Sequence, residues 1–433
     1  MREKGLGDGG HRCPSCASEE QQCPRCQAYE RLPKWKWLQA LITFVMGIPH
    51  DGQVPLLKQT KASRLATIFV AFFGAVGAAG VITALLFVAT WLAQVILAAL
   101  LVVALLAASG MFRSMSMYVL HYASHGSYDG PGDPAGGRWS RLIGHAASSI
   151  AFTLSLEEYA EKHNRKHHGK LGEKEDPDQQ TIIALGFVPG MPYEFYRAQL
   201  LRVLVSPRHF WLHLRGRWAS QFASARSSRL KALAVAVQVL PLAAAFVAVY
   251  VYGSGAPLLV WAVAWLLPLT YGTYVSMVLF ALGLHRWFLQ REPWMGKWEF
   301  YLAKTRARFF GDPVPPAELP TAEQYRRWGW WWVRFFLLHL LTGKLFVMGL
   351  SDNQQHDAHH IDPRSREFLW WDSTYSRQRL ASSGRDDAQM SQTWGSLLAA
   401  VRDNFERMAR TPRLGPDELL APPERDNDLL NGM

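Results

Sequence analysis

Three short stretches of this chain carry imidazoles at helical spacing. HYASH holds His121 and His125, HNRKHH holds His163, His167 and His168, and HDAHH holds His356, His359 and His360. Residues three and four apart share a helix face, so each stretch, if helical, aims several ring nitrogens in one direction. The three boxes hold eight of the chain's 15 histidines, a concentration that unrelated surface histidines would rarely produce. Neutral imidazole is the commonest nitrogen ligand for Fe, Zn, Cu and Ni. Eight rings are too many for one tetrahedral zinc and suit a pair of metal ions with open positions. Around the third box, Asp352 is placed to cap a helix, with Gln355 at its third position, and Pro363 would help to end it.

A second metal-binding pattern stands at the N-terminus. Cys13 and Cys16 form one Cys-x-x-Cys pair, Cys23 and Cys26 another, and these are all the cysteines of the chain. No apolar run precedes them, so no secretory signal is expected, and a reduced tetrathiolate holding structural zinc is the expectation. A rubredoxin-like iron centre is the alternative. The head has few large apolar side chains to shield a redox centre, namely Leu6, Tyr29 and Leu32, and this favours zinc.

The elements that must position these residues are apolar and long. Residues 65–110 contain no charged residue and suffice for two membrane helices of about twenty residues each, with Trp91 and Gln94 near the turn. Gly74, Gly77 and Gly80 would allow close helix contact. A second charge-free hairpin is expected from residues 232–252 and 258–284, joined by GSGAP. Leu142 to Leu156 is too short to span and reads as a re-entrant or interfacial helix. Residues 330–350 are apolar but include Arg334, His339 and Lys344, costly in lipid, so this stretch reads as surface-lying or protein-packed. Trp35 and Trp37 alternate with Lys34 and Lys36 in an interfacial lead-in, where His50 reads as a turn residue.

The expected fold is therefore an all-α integral membrane protein. It has four transmembrane helices in two hairpins, a cytoplasmic helical cap carrying the His boxes, and a small Cys-rich N-terminal head. The expected domains are residues 1–34 (Cys-rich head), 35–64 (interfacial linker), 65–372 (membrane domain) and 373–433 (polar, partly disordered tail). The net charge of +11 could suggest nucleic acid. The Lys and Arg instead gather in the segments that two hairpins leave on one face, while the turns at 91–94 and 253–257 carry none. The positive-inside rule places the termini and all three boxes at the cytoplasmic surface and explains the charge without nucleic acid.

HYASH, HNRKHH and HDAHH, in this order and divided by a membrane hairpin, resemble the three His boxes of the membrane fatty acid desaturase superfamily, which includes acyl-chain desaturases and related alkane and lipid hydroxylases. The resemblance covers roughly residues 65–372. It implies a di-iron site that uses O2 and two external electrons, with His121, His125, His163, His167, His168, His356, His359 and His360 as ligands. It also implies a further His after the last hairpin helix, where His285 stands. Some subfamilies carry an Asn one turn earlier, but position 281 is Ala, so His339 is a rival to His285.

The implied activity is O2-dependent desaturation of a fatty acyl chain or related lipid. Hydroxylation or oxidative decarboxylation is the alternative within the superfamily, and a non-catalytic metal-binding sensor the alternative outside it. An unactivated C–H bond is beyond any acid–base side chain, so metal and oxygen must supply the power. Ligating His usually gives its other N–H to a carboxylate, and Asp176, Asp357 and Asp362 are the chief candidates, with Glu157, Glu158 and Asp178 also nearby. There is no Ser–His–Asp constellation, no strand-borne GxGxxG, no P-loop and no His-Pro-Gly-Gly haem motif. The electron donor is thus expected to be a separate ferredoxin, rubredoxin or cytochrome b5-type protein with its reductase.

Overall fold

Backbone N–H and C=O groups have no water to bond in lipid, so an apolar run must satisfy them within a helix. Among the described residues, five helices are long and apolar enough to cross a membrane: Lys61–Leu85, Trp91–Ser124, Ala232–Tyr252, Ala256–Leu284 and Thr321–Met348. They come from a computed structural model that describes residues 23–50, 52–129, 137–223, 228–289, 291–305, 307–351, 353–361, 369–382, 392–415 and 419. Cys13, Cys16, Asp352, Asp362 and Pro363 lie outside the described residues. The two expected hairpins are present. The first starts at a capping box in which Thr60 and Ser63 exchange side-chain and backbone hydrogen bonds, and it turns between Leu85 and Trp91. Val70, Phe73, Val81, Phe246, Val247 and Tyr250 project outward from the hairpins, as lipid-facing side chains must.

The fifth helix is longer than the apolar stretch read from the sequence, beginning at Thr321 rather than Trp330. Its costly polar side chains are ion-paired or hydrogen-bonded by neighbours. Arg334 Nε and Nη2 donate to Asp312 at 2.7 and 3.0 Å, and the His339 ring lies 2.8 Å from the same carboxylate. Lys344 Nζ donates to the Ser351 carbonyl and to Gln354 Oε1, both at 2.9 Å.

The glycines expected to join the helices do so only in part. Gly74 and Gly77 face open space, and Gly80 alone approaches Val260 and Ala264. The tight crossing is at Gly110, where an added Cβ would lie 1.7 Å from the Leu345 carbonyl oxygen. There the second membrane helix passes under the fifth.

Above the hairpins lie short helices. The short apolar stretch expected at 142–156 is helical over Arg138–Ala151, and that helix ends at Phe152 with φ 48°. Lys36–Met46 packs Ile42, Val45 and Met46 against Trp331 and Phe335. The expected polar tail is structured in part. Gln392–Gly395 pairs in parallel with Ala307–Phe310, and Leu397–Arg410 is an amphipathic helix that buries Leu397, Ala400, Val401, Asn404, Phe405 and Met408. The 3.6-residue period of those positions is the signal that reading the segment by its overall polarity missed.

Gly110→Ala is expected to destabilise the protein by about 1–3 kcal/mol, the usual cost of overpacking, whereas Gly74→Ala should be close to neutral. Unfolding of the detergent-solubilised variants checks this; equal stability of the two would refute the close crossing.

Candidate metal centre

Box one lies where the second membrane helix enters the core. The helix widens to a π-helix over Met115–Leu120 and returns to α over His121–Ser124. Aromatic packing fixes the turn: Tyr122 stacks on Trp370 at 5.1 Å, and the Tyr118 hydroxyl donates to the Trp370 carbonyl at 2.7 Å.

Box two follows Ser155, whose side chain caps the helix by accepting from the Glu158 N–H at 3.3 Å. The chain is π-helical over Glu161–His167. In an α-helix, residues five apart point about 140° from each other. The wider turn, bonded to the fifth residue on, brings such residues toward one face. His163 and His168 accordingly converge, with Nε2 atoms 3.0 Å apart, and His167 turns to a different partner set.

Box three is a short helix, His356–Ile361, preceded by a 3-10 turn over Asn353–Gln355. Gln354 Nε2 donates to the Val45 carbonyl at 2.8 Å and Gln355 Nε2 to the Gly47 carbonyl at 3.0 Å, tying the box to the N-terminal helices.

The boxes divide into two groups of nitrogens. His121, His125, His163, His168 and His359 form the first; His167, His285, His356 and His360 form the second. Within each group the ligand atoms all lie within 4.8 Å of one another. In the first, four Nε2 atoms close a ring: His121 to His163 3.0 Å, His163 to His168 3.0 Å, His168 to His359 3.1 Å and His359 to His121 2.7 Å. In the second, His356 Nε2 lies 3.2 Å from His285 Nε2 and 2.8 Å from His360 Nε2.

This arrangement fits a cation better than it fits hydrogen bonds. A ring nitrogen that carries hydrogen has no lone pair left to accept with. Hence at most two of the four contacts in the closed ring can be hydrogen bonds. A metal at the centre, with metal–nitrogen bonds of about 2.1 Å, places neighbouring nitrogens about 3 Å apart and engages every lone pair. In the second group, His167 Nε2 is buried and has no hydrogen-bond partner among the described residues.

Burial holds His163, His168, His285, His356, His359 and His360 well below the ordinary imidazole value, and neighbouring histidines push them further down. These rings are therefore neutral, the state that ligates metal. His167 differs. Burial opposes its charge, but Asp178 and Asp176 raise it to about 9. Its Nδ1 faces Asp176 at 2.9 Å, and Asp176 also accepts from the Gly172 and Asp178 N–H groups at 2.7 and 3.0 Å. A carboxylate on Nδ1 makes Nε2 the more basic donor, and a metal can replace the proton there.

Asp176 thus lies against His167, and Asp178 stands 3.5 Å from the same ring. Asp357, expected to orient an imidazole, forms a bidentate ion pair with buried Arg377, both contacts at 3.1 Å. It follows His356 by one residue and so lies about 100° round the helix from it. His285 joins the second group, whereas its rival His339 is paired with Asp312. His145 stands by Glu157 at 3.4 Å, and Glu158 by Lys162 at 3.0 Å. His50 stacks on Tyr29 at 3.6 Å. Arg377, Trp370 and Asn404 were not read from the sequence; only the helical period of residues 397–410 marked any of them.

The apolar helices and the two sets of buried imidazoles define an integral membrane protein with a histidine-rich site able to hold metal. The chain belongs to the fatty acid desaturase family: the family model described as Fatty acid desaturase matches residues 97–342, more than half of its length. The match includes boxes one and two and His285 and stops before box three. Neither the curated proteins nor the solved structures compared with the chain give a match. Family membership points to oxidoreductase activity.

A pH dependence follows for the metal-free protein. A ring whose folded value lies below its ordinary 6.5 takes up protons more readily when unfolded, so stability falls as pH drops below about 6.5. His167 acts in the opposite direction, but six rings oppose it. Chelator-stripped protein should unfold at lower temperature at pH 5.5 than at pH 7.5, and the reverse order would contradict the buried neutral rings.

Proposed function

We propose that this protein desaturates a fatty acyl chain or related lipid, using O2 and two irons held by nine histidines. The observation that carries this reading is the pair of imidazole groups, five and four among the described residues, neither of which includes a carboxylate. Nitrogen-rich ligation with open positions suits iron that binds O2. His121, His125, His163, His168 and His359 would hold one ion, and His167, His285, His356 and His360 the other. Bound iron would supply the O2 reduction and the C–H abstraction that no side chain provides. Desaturation removes two hydrogens from adjacent carbons and, with two electrons, two protons and O2, yields an alkene and two waters.

The remaining work falls to the chain itself. Asp176 keeps the hydrogen of His167 on Nδ1 and so presents Nε2 to the centre. Tyr122 stacks on His121 and is backed by Trp370, Tyr118 and Tyr128, an aromatic wall that would keep water from that side. Electrons would come from a separate ferredoxin, rubredoxin or cytochrome b5-type donor and its reductase.

Purified protein should contain about two irons, and His121→Ala, His168→Ala or His359→Ala should lower iron content or abolish turnover. Lipid analysis of cells expressing wild type against His163→Ala should show an unsaturated product in the former alone. A hydroxylated product would move the reaction to the hydroxylases, and zinc in the boxes with no O2 consumption would leave a sensor. The cysteine head would hold one structural zinc. Cys23 and Cys26 are its described members; their Sγ atoms lie 3.3 Å apart, and the Cys26 N–H donates to Cys23 Sγ. The same metal analysis should return that zinc and lose it in Cys23→Ser.

For topology we propose four spans, with both termini and the centre cytoplasmic. The fifth helix would lie along the membrane surface. His285 and His356, which flank the segment containing it, are 3.2 Å apart, and Asp312 before it bonds Arg334 in its middle. Both contacts argue against a crossing between 285 and 356. A cysteine introduced at Ser254 should react with an impermeant reagent from outside, and the native cysteines should not. The opposite labelling would reverse the orientation.

A further inference from the structure

His285 is the odd member of its group. Every other ring comes from a box that supplies at least two, so the helix of each box fixes its rings relative to one another. His285 comes alone, from the residue after the helix Thr273–Leu284, where the backbone has left the helix at φ −94°, ψ 158°. A helix end leaves carbonyls without partners, and the chain beyond it takes its direction from whatever satisfies them. Here the partner comes from more than a hundred residues downstream. Asn404 Nδ2 donates to the Leu282 carbonyl and, at 2.7 Å, to the carbonyl of His285 itself.

Asn404 is fully buried on the amphipathic C-terminal helix Leu397–Arg410. That helix is anchored on both sides of it. Leu397 fills the space over Gly283, where an added Cβ would meet Leu397 Cδ1 at 2.6 Å. Phe405 stacks with Phe187 and Tyr196 at 5.8 and 5.6 Å, and the Met408 carbonyl accepts from the Gly190 N–H at 2.9 Å. A polar side chain in this apolar face costs stability unless its bonds are made. Asn404 Nδ2 makes two, both to the turn that carries His285, while its buried Oδ1 has no hydrogen-bond partner among the described residues.

We propose that Asn404 is a positioning residue for the second metal: the C-terminal helix sets His285 by holding the two carbonyls that frame it. The proposal rests on the nine-histidine reading of the centre. Asn404→Asp keeps the shape and replaces both donors with acceptors facing carbonyls. Asn404→Ala removes the bonds. Met408→Ala is the control, since it loosens the same helix while leaving both Asn404 bonds to the His285 turn in place.

The test is titration of full-length, chelator-stripped protein in detergent with Fe(II) or Co(II) alone. Stoichiometry and the Co(II) visible spectrum are recorded beside thermal unfolding. Wild type should take up two ions in the boxes. In both Asn404 variants one ion should bind about 10–100-fold more weakly, the usual effect of losing a group that orients a ligand, while the other stays unchanged. Met408→Ala should keep both affinities. Two unaltered sites in Asn404→Asp would overturn the positioning role and leave the centre standing. Loss of metal only in parallel with unfolding, to the same degree as in Met408→Ala, would also overturn it. A wild type that binds no ion in the boxes would remove the centre and this proposal with it.

Discussion

Lone pairs that face one another in a dry interior dominate this structure. Four Nε2 atoms stand in a closed ring with sides of 2.7–3.1 Å, and neutral imidazoles cannot satisfy that ring among themselves. Burial forbids the alternative of protonating them. The fold therefore has to hold the rings together against their own preferences, and a cation bound among them would turn that cost into binding free energy.

The surrounding architecture supplies the restraint. Each box is rigid for its own reason: a π-turn and an aromatic wall for the first, a serine cap and a π-turn for the second, two glutamine ties and the Asp357–Arg377 pair for the third. Asp176 reaches His167 through an acidic turn that also fixes its own carboxylate with backbone N–H groups. The carboxylates are not spread evenly. Among the described residues, Asp176 and Asp178 face His167 of the second group.

The membrane hairpins set where this happens. Their charge-free runs end just before Arg113, in the helix that carries box one, and at Leu284, immediately before His285. The fifth helix shows how the same constraint is met in another way. Arg334, His339 and Lys344 are tolerated in an apolar element because Asp312, Ser351 and Gln354 neutralise or bond them.

Much of this was legible in the residues alone. Two charge-free hairpins and three histidine boxes at helical spacing follow from spacing and composition, and Asp176 is a candidate carboxylate on the same grounds, because helix periodicity and the cost of burying charge are local rules. The division of the boxes was not legible. An α-helical reading pairs His163 with His167, whereas the π-turn sends them to different groups and joins His163 to His168. Periodicity assumes one helical pitch, and packing decides where the pitch changes. The choice of His285 over His339 was likewise tertiary, since each follows an apolar run and only the location of Asp312 separates them. The tail misled because its mean polarity hid a buried face. Asn404 acquired its role from a helix end more than a hundred residues earlier, and no local pattern records which distant carbonyls a buried amide will meet.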